Sequence, residues 1–415
     1  MTRTQTGKRI RVLLIAYQCL PEGGSVAIIG WRWLRYLSWH CTVHLVTHVR
    51  NRDILDLIMP AGVRVDYVDT ERFAVPLFKI SKKLFNSTQH LSFMLGNLDF
   101  LYFETKARRI CQRRAAEFDV CHVVTPVSPT APHKLSKCGL PILLGPLNGG
   151  MTTPSGFDEI IGKERTWLYH LRSLGGVALK MVGTFHNADL IFSANAVTDR
   201  AIGTRFSAKI RRLCENGIEA DPTVQPFPLS KRLELLFVGR LVPIKGLAMV
   251  FKALARLEDR RFFLRIAGDG PEEHFLKKEA ERLGLTGQIE FLGFLTQAEV
   301  NDLYPGCHLN LLPSIRESGG ATILEAMSHG RPSLALDHGG PSDYITPECG
   351  FLLPCQNTKQ VVDDMTATFQ KLVTNPKRLE VMGKPCLERS RTCYTWSAKI
   401  EFAIRAYREL IGIPS

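Results

Sequence analysis

Short, uninterrupted apolar runs recur along the chain, each followed by a turn and a stretch of helical periodicity. From residue 10, IRVLLIAY leads into the turn QCLPEGGS and then into a segment whose apolar positions include Trp31, Trp33, Leu34 and Leu37. Further runs follow as CTVHLVTHV (41–49), VDYV (65–68), VCHVV (120–124), PILLG (141–145) and ADLIFSAN (188–195). Strands that are apolar on both faces and alternate with helices predict a parallel sheet covered on both sides.

The cadence restarts after the proline-rich stretch DPTVQPFPL (221–229), with LELLFVG (233–239), FFLRIAG (262–268), IEFLG (289–293), LNLLP (309–313) and PSLAL (332–336). Helices fit between them at 247–257, 272–284, 296–304 and 320–329. The prediction is an α/β protein of two Rossmann-like, doubly wound domains, 1–200 and 201–395, facing across a cleft. A last helix, 396–415, is expected to pack back across them. Such sheets bind ligands beyond the carboxyl ends of their strands, so the turns there are where chemistry is sought.

Composition narrows the partners. The 415 residues are 45% hydrophobic and 22% charged, a globular balance, with a net charge of +13. Residues 1–200 hold 25 basic and 15 acidic side chains, net +10, against 28 and 25, net +3, in the remainder. An excess of this kind favours an anionic partner. No nucleic-acid module accompanies it, so nucleic acid is not the expected ligand.

Within 72–116, nine basic residues outnumber Asp99 and Glu104 and are interleaved with Phe73, Phe78, Phe85, Phe93, Phe100, Tyr102 and Phe103. That is either a segment for an anionic membrane surface or a helix pair packed on the core with a solvated basic face. The eleven cysteines are scattered without a C-x-x-C pair and read as reduced core thiols of a cytoplasmic protein. The run Val12–Tyr17 is too short for a signal segment, and no window is long enough to span a bilayer. The expectation is a soluble protein or one held peripherally at the inner membrane face.

Two stretches carry chemistry. PSIRESGGATILEAMSHGRP (313–332) sets Glu317 on a loop after a buried strand and Glu325 eight residues on, inside a helix. The backbone N–H groups of Ser318, Gly319 and Gly320 would open that helix and form an anion site. In FVGRLVPIKG (237–246), Arg240 and Lys245 follow a strand end, and two cations there suit a diphosphate.

With these pieces in place the C-terminal half resembles the retaining glycosyltransferase family 4, glycosyl transferases group 1, with the GT-B fold. The matching motifs are GRLVPIKG (239–246), AGDGPEE (267–273), FLGF (291–294), Glu317 to Glu325 with EAMSHGRP, and GGPSDYI (339–345). The N-terminal half matches through AYQCLPEGGS (16–25), GPLNGG (145–150) and ENGI (215–218). The resemblance implies a nucleotide-diphosphate sugar donor held by the C-terminal domain and an acceptor held by the N-terminal one. Arg240 and Lys245 would bind the diphosphate and stabilise the leaving group, Glu325 the ribose, and Glu317 with the 318–320 amides the donor sugar. Gly23 and Gly24 would let the first loop approach the phosphates. No metal and no further cofactor are implied, and the chain contains no D-x-D.

The chain departs from the family pattern at four places. Gly319 stands where the family has Phe, Asp343 where it has Glu after the paired glycines, and Glu219 where it has Asp after NG-[VI]. In DVCHVVTP, either His122 or, in another register, Val124 occupies the place of the family's sugar-contacting histidine; His122 as a core or turn histidine is the alternative. The strand pattern around His44 and His48 makes them packing or surface residues rather than metal ligands.

The function expected is retaining sugar transfer to an acceptor hydroxyl on a lipid-linked or surface glycan. The alternatives are a soluble small-molecule acceptor and, in another class, a non-catalytic sugar- or nucleic-acid-binding protein.

Overall fold

The computed structural model describes residues 9–76, 89–133, 135, 138–161, 183–219, 227 and 230–414. The chain divides into two compact units, each built on one parallel sheet. The first sheet has seven strands in the order β3-β2-β1-β4-β5-β6-β7. They are β1 (Arg11–Ala16), β2 (Thr42–His48), β3 (Arg64–Val68), β4 (Val120–Thr125), β5 (Ile142–Leu147), β6 (Leu190–Ser193) and β7 (Ile210–Arg212). The second has six, β10-β9-β8-β11-β12-β13: β8 (Leu233–Val238), β9 (Phe262–Ala267), β10 (Ile289–Gly293), β11 (Leu309–Leu312), β12 (Ser333–Leu336) and β13 (Gly350–Leu353).

The central strands are buried along their length, as their unbroken apolar runs require of a sheet covered on both faces. In the second unit, Leu235, Phe237, Leu264, Ile266, Leu309 and Leu311 pack with helices Leu247–Ala255 and Thr358–Val373 through Val250, Leu254, Met365 and Phe369. In the first, Leu13, Ile15, Val123 and Ile142 pack with Phe100, Phe103, Ala107 and Cys111 of helix Gln89–Arg114. Phe100 and Phe103 are therefore core residues, while Leu98 and Tyr102 on the same helix are exposed. Lys79, Lys82, Lys83, Phe78 and Phe85 of that basic aromatic segment lie outside the described residues, as does most of the proline-rich stretch 221–229.

The boundaries differ from those read in the sequence. Strand β7 completes the first sheet beside β6, so the first unit runs to Glu215 and not to 200. Conversely, residues 151–161 belong to the second unit, where Phe157 is fully buried in the core. Helix Trp396–Leu410 is shared: through Ala398 it groups with the second unit, and from Lys399 with the first. Its Lys399 is buried, with its ammonium donating to the Cys214 carbonyl. All eleven cysteines are free thiols, nine of them buried.

Candidate functional site

Each sheet has a switch point where neighbouring strands send their connections in opposite directions, β1 beside β4 in the first and β8 beside β11 in the second. Ligands of open α/β sheets bind at the carboxyl ends of such strands. In the second unit those ends carry the 239–246 and 313–320 loops, the two stretches singled out by their chemistry.

Glycines hold these loops against each other. Gly246 has φ +72°, and a Cβ there would sit 2.2 Å from the Pro313 carbonyl oxygen, so only glycine lets the two loops touch. The Ile315 N–H donates to the Ile244 carbonyl at 3.0 Å alongside. The Leu241 N–H donates to the Asp269 carbonyl at 2.7 Å, and the Glu272 N–H to that of Leu241 at 3.0 Å. The glycines of AGDGPEE thus bring the loop after β9 onto the loop after β8.

Four of the sequence-predicted residues meet here. The Lys245 Nζ donates to Glu317 Oε2 at 2.5 Å, and the Gly320 N–H to Glu317 Oε1 at 3.1 Å. Burial pushes the Glu317 carboxyl up, but the Lys245 charge and hydrogen bond, with the Gly320 and Gly319 amides, outweigh it and hold it below the usual carboxylate range. The helix-opening amides expected to receive a ligand anion therefore already face an anion of the chain itself. Gly320 caps helix Ala321–Ser328 in the left-handed region, at φ +51°. Ser318 and Gly319 lie between it and Glu317, and the Gly319 carbonyl accepts from Asn216 Nδ2 at 3.2 Å.

Arg240 opens the loop after β8 with an exposed side chain. Glu325 stands in the middle of helix Ala321–Ser328, where its Oε2 accepts from the Tyr304 hydroxyl at 2.8 Å.

In the first unit, Gly23 and Gly24 lie on the loop after β1, at that sheet's switch point, and lead into helix Ser25–Ser38. Both are exposed with open space where a Cβ would stand, and Gly23 has φ +111°. His122 corrects the sequence reading. It is fully buried on β4, with Nδ1 2.6 Å from the Tyr407 hydroxyl, Nε2 2.7 Å from the Gly145 carbonyl, and its ring edge-on to Trp33. Burial lowers its pKa to about 3, so the ring is neutral. With both nitrogens used and no exposed surface, His122 is a core histidine and not a sugar contact. Val124 is as deeply buried. His44 and His48 also pack inside, against Asp66 at 2.8 Å and Thr70 at 2.7 Å.

Comparison with known proteins bears on this geometry. Residues 223–385 match the family described as glycosyl transferases group 1. A D-inositol 3-phosphate glycosyltransferase of Kribbella flavida is 30% identical over 42% of this chain, and the chain spans 43% of that relative's length. An MMP alpha-(1->4)-mannosyltransferase of Mycolicibacterium hassiacum is 23% identical over 75% of each chain. Among solved structures, the lipopolysaccharide outer core galactosyltransferase WaaB superposes with a TM-score of 0.65 at 18% identity, over 97% of this chain and all of that one. The Anabaena protein HepE in complex with UDP and glucose does so at 0.59 and 14%, over 97% and 100%.

The chain has the GT-B fold.

In this GT-B chain the matched residues 223–385 contain Arg240, Lys245, Glu317, Ser318, Gly319, Gly320 and Glu325. Several neighbours of these residues carry no signal in the motifs. Residues 151–153, far away in sequence, reach the same loops: the His338 ring Nε2 is 3.0 Å from the Thr152 carbonyl, and Arg316 Nη1 donates to Thr153 Oγ1 at 3.4 Å. Gly339 makes room for them, since a Cβ there would lie 2.1 Å from the Glu317 carbonyl oxygen and 2.6 Å from Met151 Cε. The paired glycines of GGPSDYI were visible as a motif; what they accommodate was not.

Proposed function

We propose that this chain is a retaining, metal-independent glycosyltransferase that moves a sugar from a nucleotide-diphosphate sugar to an acceptor hydroxyl. The observation that carries the reading is the joining of Lys245, Glu317 and the Gly320 amide on fused loops at the switch point of the second sheet, inside the segment that matches glycosyl transferases group 1. Arg240 and Lys245 bind the diphosphate and carry the positive charge that a metal would otherwise supply to the leaving group. Glu317, itself held by Lys245 and the Gly320 amide, holds the donor sugar together with the Ser318 backbone, and Glu325 accepts from the ribose hydroxyls.

The bond from the anomeric carbon to the phosphate oxygen breaks with its electron pair going to the diphosphate. The acceptor oxygen bonds to that carbon from the same face, and a phosphate oxygen takes the acceptor's proton. Gly23 and Gly24 leave the loop after β1 bare of side chains at their positions.

The acceptor is a lipid-linked or surface glycan at the inner membrane face. The excess charge of the N-terminal half supports this, as does the likeness to WaaB, a lipopolysaccharide outer core galactosyltransferase. The relative named for D-inositol 3-phosphate favours a second reading, transfer to a soluble anionic acceptor. Replacing both Arg240 and Lys245 by Ala abolishes donor turnover, measured as release of the nucleoside diphosphate from its sugar. Wild-type rates in that double variant would sink the assignment.

A further inference from the structure

Tyr304 is fully buried, and no sequence motif singles it out. It follows helix Gln297–Leu303 and precedes β11. A buried phenol needs a hydrogen-bond partner and has one proton to give. That proton goes to Glu325 Oε2, 2.8 Å away. Burial first, and then the Glu325 charge, raises the phenol well above its ordinary pKa, so it remains a donor.

The tyrosine is itself immobilised by the helix that carries Glu325. Arg331, just beyond that helix and buried, donates from Nε to the Tyr304 carbonyl at 3.2 Å and from Nη2 to that of Pro305 at 3.0 Å. The His329 ring stacks on the phenol at 5.4 Å and 19°. Helix Ala321–Ser328 and the residues after it therefore grip Tyr304 at its backbone, its ring and its hydroxyl.

We infer that Tyr304 is a positioning residue, which fixes the Glu325 carboxylate in the orientation that receives a ribose diol. This rests on the nucleotide-sugar reading above. A glutamate on a helix has three rotatable side-chain bonds, and two neighbouring hydroxyls are held well only by a carboxylate whose plane is already set. The phenol sets it from inside the fold, where solvent does not compete. Tyr304 does not touch the substrate; its effect passes through Glu325.

The test measures dissociation constants of UDP, GDP and ADP, and of the 2′,3′-dideoxy form of whichever binds, with wild type, Tyr304→Phe and Glu325→Gln. Phe keeps the ring and its stack on His329, and thermal melts of each variant verify folding. The expected result is that Tyr304→Phe weakens the ribonucleotide by about 5- to 10-fold, the scale of one ordinary net hydrogen bond. The dideoxy form, which lacks the diol, is to bind both proteins equally.

Equal weakening of both forms would mean that Tyr304 merely supports the fold, and the inference fails. It fails too if Glu325→Gln weakens the ribonucleotide while Tyr304→Phe does not. Absence of binding of all three diphosphates to the wild type would overturn the donor reading itself.

Discussion

Lys245, Glu317 and Glu325 could be singled out in the sequence because the pattern that marks them is local. A cation after a strand end and two carboxylates eight residues apart stand out within twenty-residue motifs, and their roles belong to the proposed function. His122 was not legible: in a six-residue strand the same imidazole can be a sugar contact or a core group. What decides it is Tyr407, 285 residues away, which takes one of its nitrogens.

That burial has a consequence for stability. The folded pKa of about 3 lies below the ordinary value near 6.5, so between these values the unfolded chain binds a proton that the native chain does not. Stability from this group is complete above about pH 6.5 and falls by about 1.4 kcal/mol per pH unit as the solution is acidified toward pH 3. His122→Gln removes this group, and denaturant midpoints between pH 7 and 4.5 then fall less steeply with acid than those of the wild type. Parallel slopes would place the acid sensitivity elsewhere.

At the scale of elements, eleven of the thirteen described strands were legible to within a few residues, because a sheet buried on both faces demands unbroken apolar runs; the short strands β7 and β13 were missed. The loops after them were legible only as compositions. Gly246 shows what composition hides: the Pro313 carbonyl oxygen lies 2.2 Å from where a Cβ would stand and the backbone is left-handed, and together these hold the Lys245 loop against the Glu317 loop. Gly246→Ala is expected to cost about 2 to 3 kcal/mol through the left-handed penalty and the clash. At the usual scaling for a unit of this size, that lowers the melting temperature by roughly 4 to 12 °C. Gly287→Ala, where nothing lies within 4 Å of the new Cβ, is the control and melts as wild type. A Gly246→Ala protein equally stable would show that the two loops are not held by this contact.

Over the whole molecule, charge and apolar exposure lead to one prediction. Helix Gln89–Arg114 buries Phe100 and Phe103 but exposes Leu98 and Tyr102, the latter in ring contact with the exposed Phe73 at 5.1 Å and beneath the Lys106 ammonium at 4.8 Å. Among the described residues of the segment, Phe100 and Phe103 are ordinary core, while Phe73, Leu98 and Tyr102 form an aromatic and apolar surface beside Lys106. Among the described residues no helix is long and apolar enough to cross a membrane. Co-sedimentation with vesicles containing anionic phosphatidylglycerol is expected at low salt and is lost as salt screens the charges. No sedimentation at low salt would remove the membrane from the proposed function and leave a soluble acceptor.

The sequence alone determined two parallel-sheet units, most of the strands within them and where the motifs of the second lie along the chain. Each of these follows from periodicity or from neighbours close along the chain. Tertiary structure decided which unit owns residues 151–161 and 201–215, that Glu317 already occupies the amides meant for a ligand, that His122 is core, and that Tyr304 grips Glu325. Those depend on contacts between distant segments, set by the packing of the sheets, and no local pattern of residues encodes them.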